Sequence, residues 1–153
     1  MEHIAIDDVD PSGFGNDVAV RRLSGPLGAD DLAINHYRLD PGERFSGGKH
    51  THLDQEELFV VLDGTATFDT EEGTVEVSER EAIRFAPGEY QTGYNDGDDP
   101  VAALALGAPA DSTEVRVPVE CRECGHEALA AIPAEEGMAF ECPECGTEAD
   151  LPT

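Results

Sequence analysis

Positive charge is what this sequence most lacks: 9 Lys plus Arg stand against 34 Asp plus Glu, a formal net charge of −25. A single one of those basic residues is a lysine, Lys49. Nucleic-acid backbones are held by basic surfaces, and none is available here, so a nucleic-acid partner is excluded from the expected roles. Long apolar runs are missing too. No stretch approaches the roughly 18 apolar residues that a membrane span needs, so no membrane partner is expected. The opening residues Met1-Glu2-His3-Ile4 carry no basic region ahead of an apolar stretch. A signal peptide is therefore not expected, and a cytoplasmic location is. Sustained 3.6-residue periodicity is also absent, and nothing reads as a βαβ crossover.

What is present is short and alternating. Hydrophobic residues make up 39% of the chain and fall in Val-, Ile-, Leu- and Phe-rich segments, unlike an acidic disordered chain. Strands are predicted near 18–23, 32–39, 57–62, 65–69, 74–77, 82–85, 91–94 and 101–106. Gly, Pro, Asp and Asn clusters separate them, among them Asp40-Pro41-Gly42, Asp63-Gly64, Glu72-Gly73 and Ala86-Pro87-Gly88. Many short strands at near-even spacing indicate an all-β sandwich or barrel. The stretch Gly107-Ala108-Pro109-Ala110-Asp111-Ser112 reads as a boundary. It divides the chain into 1–112, with a core at about 18–107, and a second module at 113–153.

That second module holds all four cysteines, as Cys121-Arg122-Glu123-Cys124 and Cys142-Pro143-Glu144-Cys145, with 17 residues between the pairs. The spacing is that of a zinc site. A tight turn lets both thiolates of a pair reach one tetrahedral ion, and Gly125 and Gly146 permit that turn. Four thiolates with no open position make a structural site, and the ion supplies stability that so small a core cannot. A zinc ribbon is expected, with Zn2+ on Cys121, Cys124, Cys142 and Cys145. Two alternatives stay open: disulfides, and iron, since the Cys142-Pro143-Glu144-Cys145-Gly146 knuckle also resembles rubredoxin-like sites. With nine acids and one arginine across residues 120–153, the ribbon is expected to stabilise the protein or to contact another protein.

The first module has its own candidate site. Residues two apart on a strand share a face, so His50 and His52 are predicted to point the same way. Glu57 opens the next strand, 58–62 is apolar enough to be buried on both faces, and Asp63-Gly64 reads as a hairpin turn. Two imidazoles and a carboxylate on one side make a ligand set for a first-row transition metal.

The array His50-x-His52, four residues, Glu57, six residues, Gly64 resembles the first motif of the cupin family. The stretch Pro87-Gly88-Glu89-Tyr90-Gln91-Thr92-Gly93-Tyr94-Asn95 approximates the second, with Gln91 where the family usually places a third histidine. The resemblance spans about 18–107 and implies a cupin (double-stranded β-helix, jelly-roll) barrel. It also implies a divalent transition metal (Fe, Mn, Ni or Zn) on His50, His52 and Glu57, with Gln91 as a weaker neutral ligand. Barrels of this family often pair through edge strands, so a homodimer is expected.

Similarity to cupins implies a small-molecule ligand or substrate and either of two roles. One is a metal-dependent enzyme of dioxygenase, isomerase or decarboxylase type acting on a small oxygenated or sugar-like molecule. Glu56 is then a candidate base only if it turns inward, and Arg44 and Arg84 could steady a substrate carboxylate, although surface ion pairs suit them better. The other is a non-enzymatic binding or regulatory protein whose ribbon is structural or contacts a partner. A third reading passes electrons from iron in the ribbon to a barrel metal. The acidity resembles that of proteins from salt-loving archaea: self-repulsion destabilises the fold, and about 1 M salt shortens the screening length to roughly 3 Å. An acidic protein with a cationic partner is the alternative.

Overall fold

The computed structural model describes residues 1–12, 18–134 and 137–151, and its regular structure is almost wholly β. The strands are β1 (Val20–Arg22), β2 (Ala33–Leu39), β3 (Thr51–His52), β4 (Glu56–Asp63), β5 (Thr65–Thr70), β6 (Thr74–Ser78) and β7 (Ala82–Phe85). They continue with β8 (Gln91–Tyr94), β9 (Val101–Ala108), β10 (Val115–Val117), β11 (Leu129–Pro133), β12 (Met138–Glu141) and β13 (Glu148–Ala149). A 3-10 turn at Ile6–Asp8 and a single α-turn, Ser24–Leu27, are the helical pieces among the described residues. No helix there is long and apolar enough to cross a membrane.

Two sheets enclose the main core. One has the order β1-β2-β9-β4-β7, the other β6-β5-β8, and every pairing is antiparallel. The pleat sorts each strand into an inner and an outer row. On β9 it does so residue by residue, with Val101, Ala103, Ala105 and Gly107 inward and the residues between them half-buried. The core gathers Phe59, Val61 and Ala103 from the first sheet and Ala66, Phe68 and Val77 from the second. Phe68 packs on Phe45, Phe59 and Phe85 at ring-centroid distances of 5.7, 5.0 and 5.6 Å.

Two local expectations are corrected. On β4 only the inner row is buried: Phe59 and Val61 are enclosed, Leu58 and Val60 are half-covered, and Leu62 is 40% exposed. Asp63-Gly64 is not a hairpin turn either. β4 pairs with β9 and β7, whereas β5 pairs with β6 and β8, so the chain changes sheets there. Gly64 makes the corner at φ 80°, and a Cβ on it would stand 2.8 Å from the Pro100 carbonyl oxygen.

The third sheet, β13-β12-β11-β10-β3, carries the cysteine module. Its innermost strand, β3, belongs to the metal-motif stretch. β10 therefore lies between the two regions, pairing with β3 on one side and β11 on the other.

Candidate metal centre

His50 and Gln91 are direct cross-strand partners, exchanging both backbone hydrogen bonds (3.0 and 2.9 Å). Opposed residues of an antiparallel pair share a face, which puts the glutamine beside the histidine. β3 carries His52 two residues on, and the two imidazole centroids lie 5.1 Å apart. Glu57, at the start of β4, completes the group. One ligand atom from each of His50, His52 and Glu57 lies within 4.8 Å of the others, so the three could hold a metal ion.

Hydrogen bonds fix which nitrogens face the cavity. His50 Nδ1 donates to the Gly48 carbonyl (2.9 Å), with Ser46 Oγ 3.3 Å away. Ser112 Oγ donates to Asp54 Oδ1 (2.6 Å) and so accepts from His52 Nδ1 (2.7 Å). Both rings thus carry their proton on Nδ1 and keep a lone pair on Nε2, the pattern found where the outer partner sets the tautomer of a metal-ligating histidine. His52 Nε2 stands 3.5 Å from Glu57 Oε1. Donors each about 2.1 Å from one tetrahedral ion would be about 3.4 Å apart. Burial, opposed by the nearby Glu57 carboxylate, lowers the His52 pKa and keeps the ring neutral as a ligand must be.

Gln91 is 2% exposed, and its Nε2 donates to Glu57 Oε2 (2.9 Å). The carboxylate accepts only, so the amide must turn its NH2 toward it. Gln91 Oε1 is left buried without a partner. An unpaired buried acceptor is costly, and an ion or an ion-bound water beside it would relieve that cost. The donor set and this orphaned oxygen both fit a hard or borderline divalent ion.

Residues 35–107 match the sequence model of the family described as Cupin domain. This stretch has the cupin fold. No curated protein matches the sequence. Among solved structures, a sugar phosphate isomerase from a cupin superfamily of Silicibacter pomeroyi is 19% identical over 94% of each chain, with a TM-score of 0.70. The polyketide cyclase RemF from Streptomyces resistomycificus is 23% identical over 80% of this chain and 88% of its own, TM-score 0.64. A predicted oxalate decarboxylase from Thermotoga maritima is 18% identical over 70% and 98%, TM-score 0.61. At these identities the likeness is one of fold. In the Silicibacter protein it reaches past residue 107 into the third sheet.

The candidate ligand set opens into a cavity of about 790 Å3. Ala105 and Gly107 of β9 line it, with the Gln55 amide packed on Gly107, while Tyr37, Phe45 and Phe59 form an aromatic wall. The polar lining includes Arg22, Asn35, Gln55, Asp30 and Asp111. Burial, followed by the charge of Glu57, pushes the Tyr37 pKa up, so it stays a phenol. Other candidates lie elsewhere. Glu56 turns outward onto Arg84 (2.6 Å), which removes both as base and anchor, and Arg44 lies over the Tyr94 ring at 5.1 Å. Lys49 donates to the Thr70 carbonyl (3.1 Å).

The residues that sequence reasoning missed are Ser112 and Asp54, which are hydrogen-bonded in series to His52 Nδ1. Ser112 is 60 residues from His52, and no local pattern links them. Hydrogen bonds from Ser112 and from the Thr113 amide hold the Asp54 carboxyl far below the usual carboxylate range.

The four cysteines also converge as spaced. Each knuckle repeats one backbone turn, with the Gly125 and Gly146 amides donating to the Cys121 and Cys142 carbonyls (2.9 Å each). Both glycines are left-handed, at φ 74° and 71°. Sγ atoms stand 3.7 Å apart for Cys121–Cys145 and 3.5 Å for Cys124–Cys142, and all four thiols are free. Sulfurs about 2.3 Å from one tetrahedral ion would lie about 3.8 Å apart. The four thiols could thus hold a single ion. Cys121 and Cys142 are buried with Leu129, and Val117 and Phe140 pack around them.

Proposed function

We propose that the cupin domain holds a divalent transition ion on His50, His52 and Glu57, with Gln91 Oε1 at or beside its shell. The protein is then a metal-dependent enzyme acting on a small oxygenated or sugar-like molecule. The observation that carries this reading is the occupation of both histidine Nδ1 atoms, by Gly48 and Ser112, which leaves two Nε2 lone pairs beside Glu57. An ion held this way supplies Lewis acidity toward a substrate hydroxyl or carboxylate.

The chain's own residues supply the rest. Gln91 steadies the Glu57 carboxylate, the Tyr37 phenol offers a proton donor, and the Phe45 and Phe59 rings keep one wall dry. The polar lining, Asn35 among it, suits a hydroxyl-rich ligand. The Silicibacter neighbour's description as a sugar phosphate isomerase agrees with such a ligand class. The ribbon is assigned Zn2+ in a closed, structural four-thiolate site.

Metal content per chain tests the proposal, measured by elemental analysis of protein purified in high KCl without a histidine tag. Two ions are expected, one lost in His50→Ala/His52→Ala and the other in Cys121→Ser/Cys142→Ser. A single ion, lost with the cysteines and indifferent to the histidines, would overturn the barrel assignment.

A further inference from the structure

The segment that enters the ribbon is also the segment that orients a barrel ligand. Ser112 Oγ sits between His52 Nδ1 (2.7 Å) and Asp54 Oδ1 (2.6 Å). Thr113 fixes the far side of the same carboxylate, its amide donating to Asp54 Oδ2 at 2.8 Å and its hydroxyl at 3.1 Å. Leu53 N–H then donates to the Glu114 carbonyl (2.8 Å). Next along the chain, Val115 of β10 is registered on His52 itself, and Arg116 on Thr51.

The opposite edge of β10 belongs to the ribbon. Val115, Arg116 and Val117 pair with Ala131, Ala130 and Leu129 of β11. Leu129 is 1% exposed and packs on the buried thiols of Cys121 and Cys142. Val115 thus faces His52 on one side and a ribbon residue on the other. A three-residue strand has little stability without its neighbours, because ordering the backbone costs roughly 1–2 kcal/mol per residue. Loss of the thiolate-bound ion would loosen β11, one of the two strands that hold β10.

We propose that Ser112 and Asp54 are positioning residues for His52, and that through them and β10 the ribbon's ion and the barrel's ion are energetically coupled. This rests on the metal-binding reading above. The ribbon is then more than an appended stabiliser: it sets the tautomer and aim of one barrel ligand. Coupling of this kind is reciprocal, so an ion in the barrel tightens the ribbon's hold on zinc by the same factor.

The test uses the full chain with zinc in the ribbon and Mn2+ as the barrel probe, followed by electron paramagnetic resonance. Manganese prefers oxygen and nitrogen donors and leaves thiolates to zinc. Ser112→Ala should weaken Mn2+ binding about 10–100-fold, the usual effect of removing an outer-shell partner, while ribbon zinc stays at one per chain. Ser112→Thr, which keeps the hydroxyl, should restore it. Cys142→Ser, which empties the ribbon, should weaken Mn2+ binding comparably, and the double variant should be no weaker than the worse single one. Unchanged Mn2+ affinity in either Ser112→Ala or Cys142→Ser overturns the coupling.

The histidine 15N signals of the metal-free barrel give a readout that needs no barrel ion. His52 should carry its proton on Nδ1 in the zinc-loaded wild type and lose that preference both in Ser112→Ala and in Cys142→Ser. If the wild type takes up no barrel ion, the functional reading fails, and this tautomer signal alone decides the positioning claim. A preference unchanged in either variant then rejects it.

Discussion

At the scale of single residues, Gln91 is the departure that most shapes the site. A third imidazole would bind the ion more firmly, but it would present Glu57 with a different donor. The glutamine instead gives its NH2 to the carboxylate and keeps an unpaired carbonyl oxygen in a buried position. Gln91→Ala removes both, and Mn2+ affinity is expected to fall about 10–100-fold. An unchanged affinity in a metal titration would show that the amide neither orients Glu57 nor touches the shell. His52 carries a second prediction at this scale. Burial lowers its pKa more than the Glu57 charge raises it. Protonation, which competes with the ion, therefore sets in at more acid pH than the ordinary midpoint of about 6.5. A histidine NMR titration of the metal-free protein in high KCl should place His52 below that value; a higher midpoint would mean that Glu57 outweighs desolvation.

Among the elements, β8 shows how closely the site is bound to packing. Gly93 lies two residues from Gln91 on the same strand and the same face. A Cβ there would stand 2.5 Å from Phe68 Cε1 and 2.7 Å from Phe45 Cδ2. Both rings are buried, and they stack at 5.7 Å and 9°. Gly93→Ala must displace them, and overpacking of this kind costs about 1–3 kcal/mol. The thermal midpoint in concentrated KCl is expected to drop by several degrees, and an unchanged midpoint would mean the aromatic layer yields freely. The longer strands were legible because alternation and turn residues mark them locally, and the eight predicted near even spacing lie within two residues of those observed. β3 and the strands of the cysteine module, β10 to β13, were not predicted. With two and three residues, β3 and β10 carry no periodicity and exist only because each finds an edge to pair with.

For the whole molecule, charge governs how stability responds to the solvent. Nine basic residues cannot neutralise 34 acids, whatever the pairing. Exposed like charges repel over about 10 Å at 0.1 M salt and over roughly 3 Å at 1 M. The melting temperature is accordingly expected to rise between about 0.1 M and 2 M KCl. A flat response would show that the acids are spaced widely enough for repulsion to matter little. The same charge argues against a strongly anionic ligand, since such a molecule approaches this surface slowly.

The sequence by itself determined the positions of the strands in the two barrel sheets, the cupin motif and both candidate ligand sets, because each depends on spacing within a few residues of chain. Glycines at the knuckles and two-residue alternation at His50 and His52 are rules of local geometry, and local geometry survives without knowledge of the fold. Only the tertiary structure decided what lies between the ligand sets. It turned Asp63-Gly64 into a crossing between sheets and faced Glu56 outward onto Arg84. It also brought Ser112 across 60 residues to His52. Side chains that meet by chain crossing leave no periodic trace, so the link between ribbon and barrel became visible only once β10 was seen in its place between β3 and β11.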